Sequence, residues 1–167
     1  MPPIHLTTVS LADSAAYFAI FSAPAVCQFL DYSAFTQLHE AESFIQTALT
    51  LHAANKQIRY SIAYDQQVVG SICLYSLYWH QKRASIGYAL HPDFWGKGIM
   101  SAALQELITI AKAQYGLNRL QATVLPHNRN SQRVLLKQGF IYEGLLQQYE
   151  IWEGRGFVDL QMYAKLL

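Results

Sequence analysis

The chain has 167 residues, enough for one domain with a sizeable core and too few for two comfortable ones. It is 52% hydrophobic and 14% charged, with 12 basic against 11 acidic residues and a formal net charge of +1. That composition is globular, and the scattered basic residues give no electrostatic footprint for nucleic acid or an anionic membrane, so neither is expected as a partner.

Cys27 and Cys73 are the only cysteines, far apart in segments that read as buried. A reduced intracellular protein is the simplest account, although spacing alone leaves a disulfide open. The start Met1-Pro2-Pro3-Ile4-His5 lacks the basic and apolar regions of a signal peptide. No apolar run approaches the ~20 residues that span a bilayer, so a cytoplasmic location is expected. No repeat, linker or low-complexity segment interrupts the chain, and residues 1–167 are read as a single domain.

Residues 4–9 alternate enough for a first strand. Ser10 is placed to cap a helix carrying Leu11, Ala15, Phe18 and Phe21 along one side, with Asp13 in its first turn. Pro24 starts a second short helix through Val26, Phe29 and Leu30. A longer helix is predicted over about 37–54, where Leu38, Ala41, Ile45, Ala48, Leu49 and His52 recur at helical spacing. The aromatic residues of these early helices make an ordinary core face on the simpler reading, and line a substrate pocket on the other.

From Ile58 the period becomes strand-like. Residues 58–64 and 68–78 read as an antiparallel hairpin joined by the polar turn Asp65-Gln66-Gln67, with Gly70 as a bulge. Gln81-Lys82-Arg83 turns the chain into a strand over 86–90. After His91-Pro92-Asp93 comes the turn Phe94-Trp95-Gly96-Lys97-Gly98, and a helix opens near Ile99 or Met100. It carries Met100, Ala103, Leu104, Leu107, Ile108, Ala111 and Tyr115 on one broad face and ends at Gly116. The next strand, 119–125, makes this a parallel, right-handed crossover. Pro126-His127-Asn128 breaks it, and a helix follows from near Asn130 to Gln138, with Val134 and Leu135 inward. Gly139 caps that helix and Phe140 is placed to pack back on Leu135. Residues 140–152 and 157–167, across Glu153-Gly154-Arg155-Gly156, form a final hairpin. Its aromatic residues are placed for a pocket wall, a dimer surface or the core.

Two glycines separated by one lysine at a helix start leave several backbone N–H groups unhindered, with the positive end of the helix dipole behind them. Such a turn suits a phosphate or pyrophosphate. It is not a nucleotide-triphosphate loop, because the Gly-Lys pair lacks a following Ser or Thr and the earlier glycine. Nor is it the dinucleotide fingerprint, which needs a third glycine and a following strand with an acidic end. On its own it is also consistent with a tight turn chosen for geometry.

The run Gly87-Tyr88-Ala89-Leu90-His91-Pro92, then Phe94-Trp95-Gly96-Lys97-Gly98, resembles the cofactor-binding signature of the GNAT acetyltransferase superfamily. So does the later run Asn128, Ser131, Arg133-Val134-Leu135, Lys137 and Gly139-Phe140. With Glu143-Gly144 and the closing Asp159, Met162, Tyr163 and Ala164, the likeness covers the second half closely and the first half in outline. It is nearest to the RimJ/RimL-type ribosomal-protein N-acetyltransferases, whose Trp-Gly-x-Gly turn is matched by Trp95 to Gly98. Trp95 stands where the superfamily usually has Gln or Arg, and Met100 where it has Gly or Ala; both side chains can point away from a phosphate.

The resemblance implies an α/β fold with a mixed, mostly antiparallel sheet flanked by helices, and acetyl-CoA as cosubstrate. The strand at 86–90 would part from the strand at 119–125 and expose backbone groups to the pantetheine arm, in the manner of strand addition. The amides of Gly96, Lys97, Gly98, Ile99 and Met100, in the turn that Trp95 opens, would take the pyrophosphate. A backbone N–H near Ala89 or Leu90 would polarise the thioester carbonyl, a contribution worth roughly 3–4 kcal/mol elsewhere. Ser131 would protonate the departing thiolate, Asn128 would contact the cofactor arm, and Glu150 would act as base through a water. Each also has a plainer reading: Asn128 as N-cap, Ser131 as a first-turn polar residue, Glu150 as an exposed strand carboxylate, Lys97 as a solvated charge. Glu143 is a weaker candidate for that base and, because it sits in the Glu-Gly turn, reads first as structural.

A protein α-amine has a pKa near ~8 and a lysine near ~10.4, so deprotonation at neutral pH costs about 1.4 and about 4.6 kcal/mol respectively. One carboxylate acting through water suits the first better. The expected reaction is direct acetyl transfer to the N-terminal α-amine of a ribosomal or other protein, with no covalent enzyme intermediate. A polyamine or aminoglycoside-like amine, or a non-catalytic CoA-binding sensor module, are the alternatives. Trp79 and His80, at a strand end, are candidates to border the acceptor. The six histidines show no paired metal-ligand spacing and no cysteine joins them, so no metal is expected.

Overall fold

Period-two alternation decides which face each strand buries. The structure, a computed structural model, describes residues 3–167. Its strands are β1 (Ile4–Thr8), β2 (Ile58–Tyr64), β3 (Gln67–Tyr78), β4 (Arg83–Leu90), β5 (Arg119–Val124), β6 (Ile141–Trp152) and β7 (Gly156–Leu166). They form one sheet in the order β1-β2-β3-β4-β5-β7-β6. Every neighbouring pair is antiparallel except β4 and β5, which the crossover makes parallel.

On one face Ile58, Ile62, Ile72, Leu74, Ile86 and Leu120 pack with Ala103, Leu104, Leu107 and Ala111 of α4 (Ile99–Ala113). The short α5 (Arg129–Lys137) adds Leu135 there. On the other face α1 (Ser14–Phe21) and α3 (Leu38–Ala53) bring Tyr17, Ile20, Phe21 and Ile45 against Val9 and Ala89. The α2 turn (Pro24–Cys27) closes that side.

Three local expectations need correction. The second helix stops at Cys27 and does not reach Leu30; Phe29 and Leu30 continue only as single turns, donating to the carbonyls of Val26 and Cys27. Leu38 is 46% exposed, since it lies one turn before Ala41, the first buried residue of its helix. The bulge lies beside Gly70, not at it: the register steps from Ile62–Gly70 to Ala63–Val68, leaving Val69 as the extra residue. Gly70 is required for a different reason, because a Cβ there would sit 2.7 Å from the Ala89 carbonyl oxygen.

Glu143 is held in an ion pair. Arg119 donates to both of its carboxylate oxygens, at 2.8 and 2.6 Å, tying β5 to β6 across β7. That fork holds the Glu143 carboxyl below its ordinary pKa, so the pair stabilises the fold above about pH 4.3 and the benefit fades as pH falls through the lowered value. With Glu143 43% exposed, Glu143→Gln should cost at most about 1 kcal/mol, or about 2–4 °C, at pH 7. Thermal unfolding of the two proteins should converge toward pH 3.

Candidate active site

Hydrogen bonding between β4 and β5 covers three rungs only, Arg83–Arg119, Ala84–Leu120 and Ser85–Gln121. Beyond them the strands part, while β4 stays paired to β3 as far as Leu90 and β5 to β7 as far as Val124. A cavity of about 1040 Å³ occupies the gap, lined by residues 86–90 on one side and 122–125 on the other. The facing margins of the two strands therefore offer backbone groups to whatever enters.

At one mouth of this cavity the chain turns into α4 through Gly96 and Gly98, whose φ of +76° and +78° is the left-handed region that glycine tolerates best. Among the described residues, none accepts a hydrogen bond from the N–H groups of Gly96, Lys97, Gly98, Ile99, Met100 or Ser101; the series resumes at Ala102, which donates to the Gly98 carbonyl at 3.1 Å. Six consecutive free donors at the positive end of a 15-residue helix make an anion cradle. The side chains of Ile99 and Met100 are buried in the core, so their bulk lies away from the cradle. Trp95 donates its ring N–H to the Leu90 carbonyl at 2.7 Å and fastens the turn to the end of β4. Lys97 holds its ammonium 4.9 Å from the Phe94 ring centroid. It is absent from the cavity wall, which Ala89, Leu90, Trp95, Gly96, Gly98, Ile99 and Met100 all line.

If that fastening orders the cradle, Trp95→Phe should weaken CoA binding about two- to tenfold, the worth of one hydrogen bond. Isothermal titration reads the loss, and the unfolding temperature of the free protein should move less.

Asn128 and Ser131 line the same cavity. Asn128 caps α5, its Oδ1 accepting the Ser131 N–H at 3.2 Å. Ser131 Oγ lies 2.7 Å from the Tyr88 hydroxyl, which reaches it from β4. Burial pushes the Tyr88 phenol well above its ordinary pKa, so this pair is two neutral hydroxyls able to pass one proton between them. Glu150 lines the same cavity from β6, and its Oε2 accepts the ring N–H of Trp152 at 2.8 Å. The two residues share a face by strand alternation. An irregular stretch aims them: pairing steps from Leu146–Leu160 to Glu150–Val158, with Gln148 at φ +47° and its N–H held by Asp159 Oδ1 at 2.7 Å.

The structure thus brings Ser131, Glu150, Asn128 and the cradle to one cavity. Trp79 and His80 do not border it: Trp79 donates to the Asn55 carbonyl at 3.1 Å and packs near Tyr115. The early helical region does contribute, with Phe21 of α1 and, after α2, Phe29 and Tyr32 in the wall, so Phe21 serves both core and cavity. Tyr88, Tyr75 and Arg59 also line it, and sequence reasoning gave them no part; Trp152, an aromatic residue of the final hairpin, stands in the pocket wall, one of the three places open to it. For Tyr88 a signal existed, since it lies inside the glycine-flanked strand motif. Cys27 and Cys73 are free thiols. Among the described residues no three His, Cys, Asp or Glu side chains are grouped to hold a metal, and no helix is long and apolar enough to cross a membrane.

A family model described as an acetyltransferase (GNAT) domain matches residues 4–141. The chain belongs to the GNAT acetyltransferase family. It is an acyltransferase of the RimJ/RimL-like group, and the mixed sheet with its parted parallel pair is the GNAT fold. Ribosomal-protein-serine acetyltransferase of Escherichia coli (strain K12) is 30% identical over 141 residues, covering 84% of this chain and 78% of that protein. The structure of the microcin C7 self-immunity acetyltransferase MccE, in complex with acetyl-CoA and AMP, superposes with a TM-score of 0.91 at 25% identity, covering 98% of this chain and 92% of that one. RimL, the ribosomal L7/L12 alpha-N-protein acetyltransferase, in complex with coenzyme A, gives 0.89 at 26% identity, covering 98% and 94%.

Proposed function

We propose that this GNAT enzyme, a single N-acetyltransferase domain over 1–167, moves an acetyl group from acetyl-CoA directly to the N-terminal α-amine of a ribosomal or other protein. One observation carries the reading: the gap between β4 and β5 opens onto six free N–H donors at one mouth, while Ser131 and Glu150 line the same cavity. Acetyl-CoA would supply the activated acyl group. The donors of Gly96 to Ser101 fit its pyrophosphate, the open margins of β4 and β5 fit the amide-bearing pantetheine arm, and Ala89 and Leu90 border the place where its thioester would lie.

The division of labour among these side chains follows from their chemistry. Glu150, held by the Trp152 ring N–H, would take the proton of an incoming ammonium through water. Ser131 would give a proton to the sulfur leaving group while the neutral Tyr88 hydroxyl hydrogen-bonds to its oxygen, and the proton released by the acceptor ammonium would return to Ser131 through solvent. Asn128 would meet the cofactor arm while it caps α5. The RimL and E. coli relatives support a protein N-terminus as acceptor. The MccE neighbour, bound to AMP, keeps a small-molecule amine as the second reading.

The test is thiol release from acetyl-CoA with a panel of peptides, polyamines and aminoglycosides, beside CoA-dependent protection against thermal unfolding. Release driven by peptides with free α-amines, and not by polyamines, supports the reading. Protection without release by any amine would leave a CoA-binding module, and absence of protection would sink the cofactor assignment.

A further inference from the structure

We propose that Arg59 is an anion subsite at the acceptor end of this cavity, so that the amine acetylated here carries a carboxylate or phosphate close to its reacting nitrogen. This rests on the acetyltransferase reading above and narrows its substrate class.

Arg59 lies on β2, where Ile58, Tyr60 and Ile62 face α4 and the core on that side. Alternation sends Arg59 and Ser61 to the opposite face, under α1 and α3. There the guanidinium stacks 4.8 Å from the Phe44 ring centroid and lines the cavity with Phe21, Tyr32 and Gln57. Its Nη1 donates to Ser71 Oγ at 2.8 Å and its Nε to Gln57 Oε1 at 3.3 Å. A guanidinium has five N–H donors, so three have no partner in these bonds. No carboxylate among the described residues comes within ion-pair distance of it. Asp31 and Glu150 line the same cavity but stay apart from it.

The half-buried cation is also built in. Behind Ser71 stands Tyr17, whose hydroxyl donates to Ser71 Oγ at 3.2 Å and lies 3.2 Å from Ser61 Oγ; Ser61 in turn donates to Asp13 Oδ2 at 2.8 Å. This polar wall and the Phe44 ring fix the fork in place. A half-buried planar fork with no ion-pair partner and with its outer donors free matches a carboxylate or phosphate. An acceptor held by Arg59 at its anion and approached by Glu150 at its ammonium would be oriented at both ends. A peptide whose second residue is acidic has that charge pattern.

The probes are three peptides with free α-amines, Ser-Glu-Ala-Ala, Ser-phosphoserine-Ala-Ala and Ser-Gln-Ala-Ala, titrated calorimetrically into the CoA-loaded protein. Either anionic peptide is expected to bind about tenfold or more tightly than the neutral one. Which of the two is tighter tells carboxylate from phosphate. In Arg59→Met the preference should vanish, and Arg59→Gln, which keeps a donor for Ser71, should lose it as well. CoA-dependent thermal protection should be unchanged in both variants, which shows that the fold and cradle persist. Equal affinity for all three peptides, binding by none, or a preference that survives in the Arg59 variants overturns the proposal. Failure of the enzymatic reading is a separate result: no thiol release with any amine, whatever the binding preference.

Discussion

Glu150→Gln should lower amine-dependent thiol release by about 10²–10⁴-fold, the range for loss of a positioned general base. The substitution is close to isosteric, and the amide oxygen can still accept the Trp152 ring N–H that holds Glu150 in place. Unfolding temperature and CoA affinity are therefore expected to match the parent protein. Ser131→Ala should also reduce turnover, but it removes the partner of the Tyr88 hydroxyl and so carries a stability cost of about 0.5–1.5 kcal/mol. The two variants separate by that signature. If Glu150→Gln turned over at the parent rate, the base would have to be sought elsewhere on the cavity wall.

Gly70→Val should be the most damaging single change to the fold near the site. A Cβ at Gly70 meets the Ala89 carbonyl oxygen at 2.7 Å, Leu90 Cδ1 at 3.0 Å and Ile62 Cδ1 at 3.1 Å, and the first of these is backbone that cannot swing aside. Overpacking of this kind costs about 1–3 kcal/mol, or about 2–12 °C for a chain of this length. Because relief requires β4 to move at Ala89, CoA affinity should fall with stability. Gly96→Ala is the comparison: a Cβ there meets nothing within 4 Å, so its expense is conformational only, about 1–2 kcal/mol for a left-handed residue. Calorimetric unfolding and CoA titration of the pair distinguish crowding from strain.

Much of the architecture was legible because local signals agreed. The switch from period two to helical spacing around the Gly96–Gly98 turn located β4, the cradle and α4, and Gly139 with Phe140 closed α5 as expected, the Phe140 N–H returning to the Leu135 carbonyl. Signals that depend on partners were not legible. Leu38 has the right spacing for a core face, but its exposure is set by where the helix meets the sheet. Trp79 looked like a pocket residue, but its strand end points away from the parted strands. Arg59 and Tyr88 acquire meaning only when β2 meets Ser71 and β4 meets α5, contacts between residues 12 and 43 positions apart. Motif spacing marked the groups proposed for the cofactor and Glu150 as the proposed base, and it gave no signal for Arg59, which long-range pairing brings to the cavity wall.

The three-rung seam between β4 and β5 also bears on motion. Strands β1 to β4 form one half-sheet and β5 to β7 another, and ladder bonds join them only near Ser85 and Gln121. The two resemble covers of a book bound at one end of the spine, with α4 and its core as a second binding and the Tyr88–Ser131 hydrogen bond spanning the gap. This seam has fewer ladder rungs than any other neighbouring pair in the sheet, so separation of the two halves meets the least ladder resistance there. Amide hydrogens on the free margins should exchange with solvent sooner than those on the β3 and β7 sides of the same strands, until an arm threaded between the covers holds them at a fixed angle.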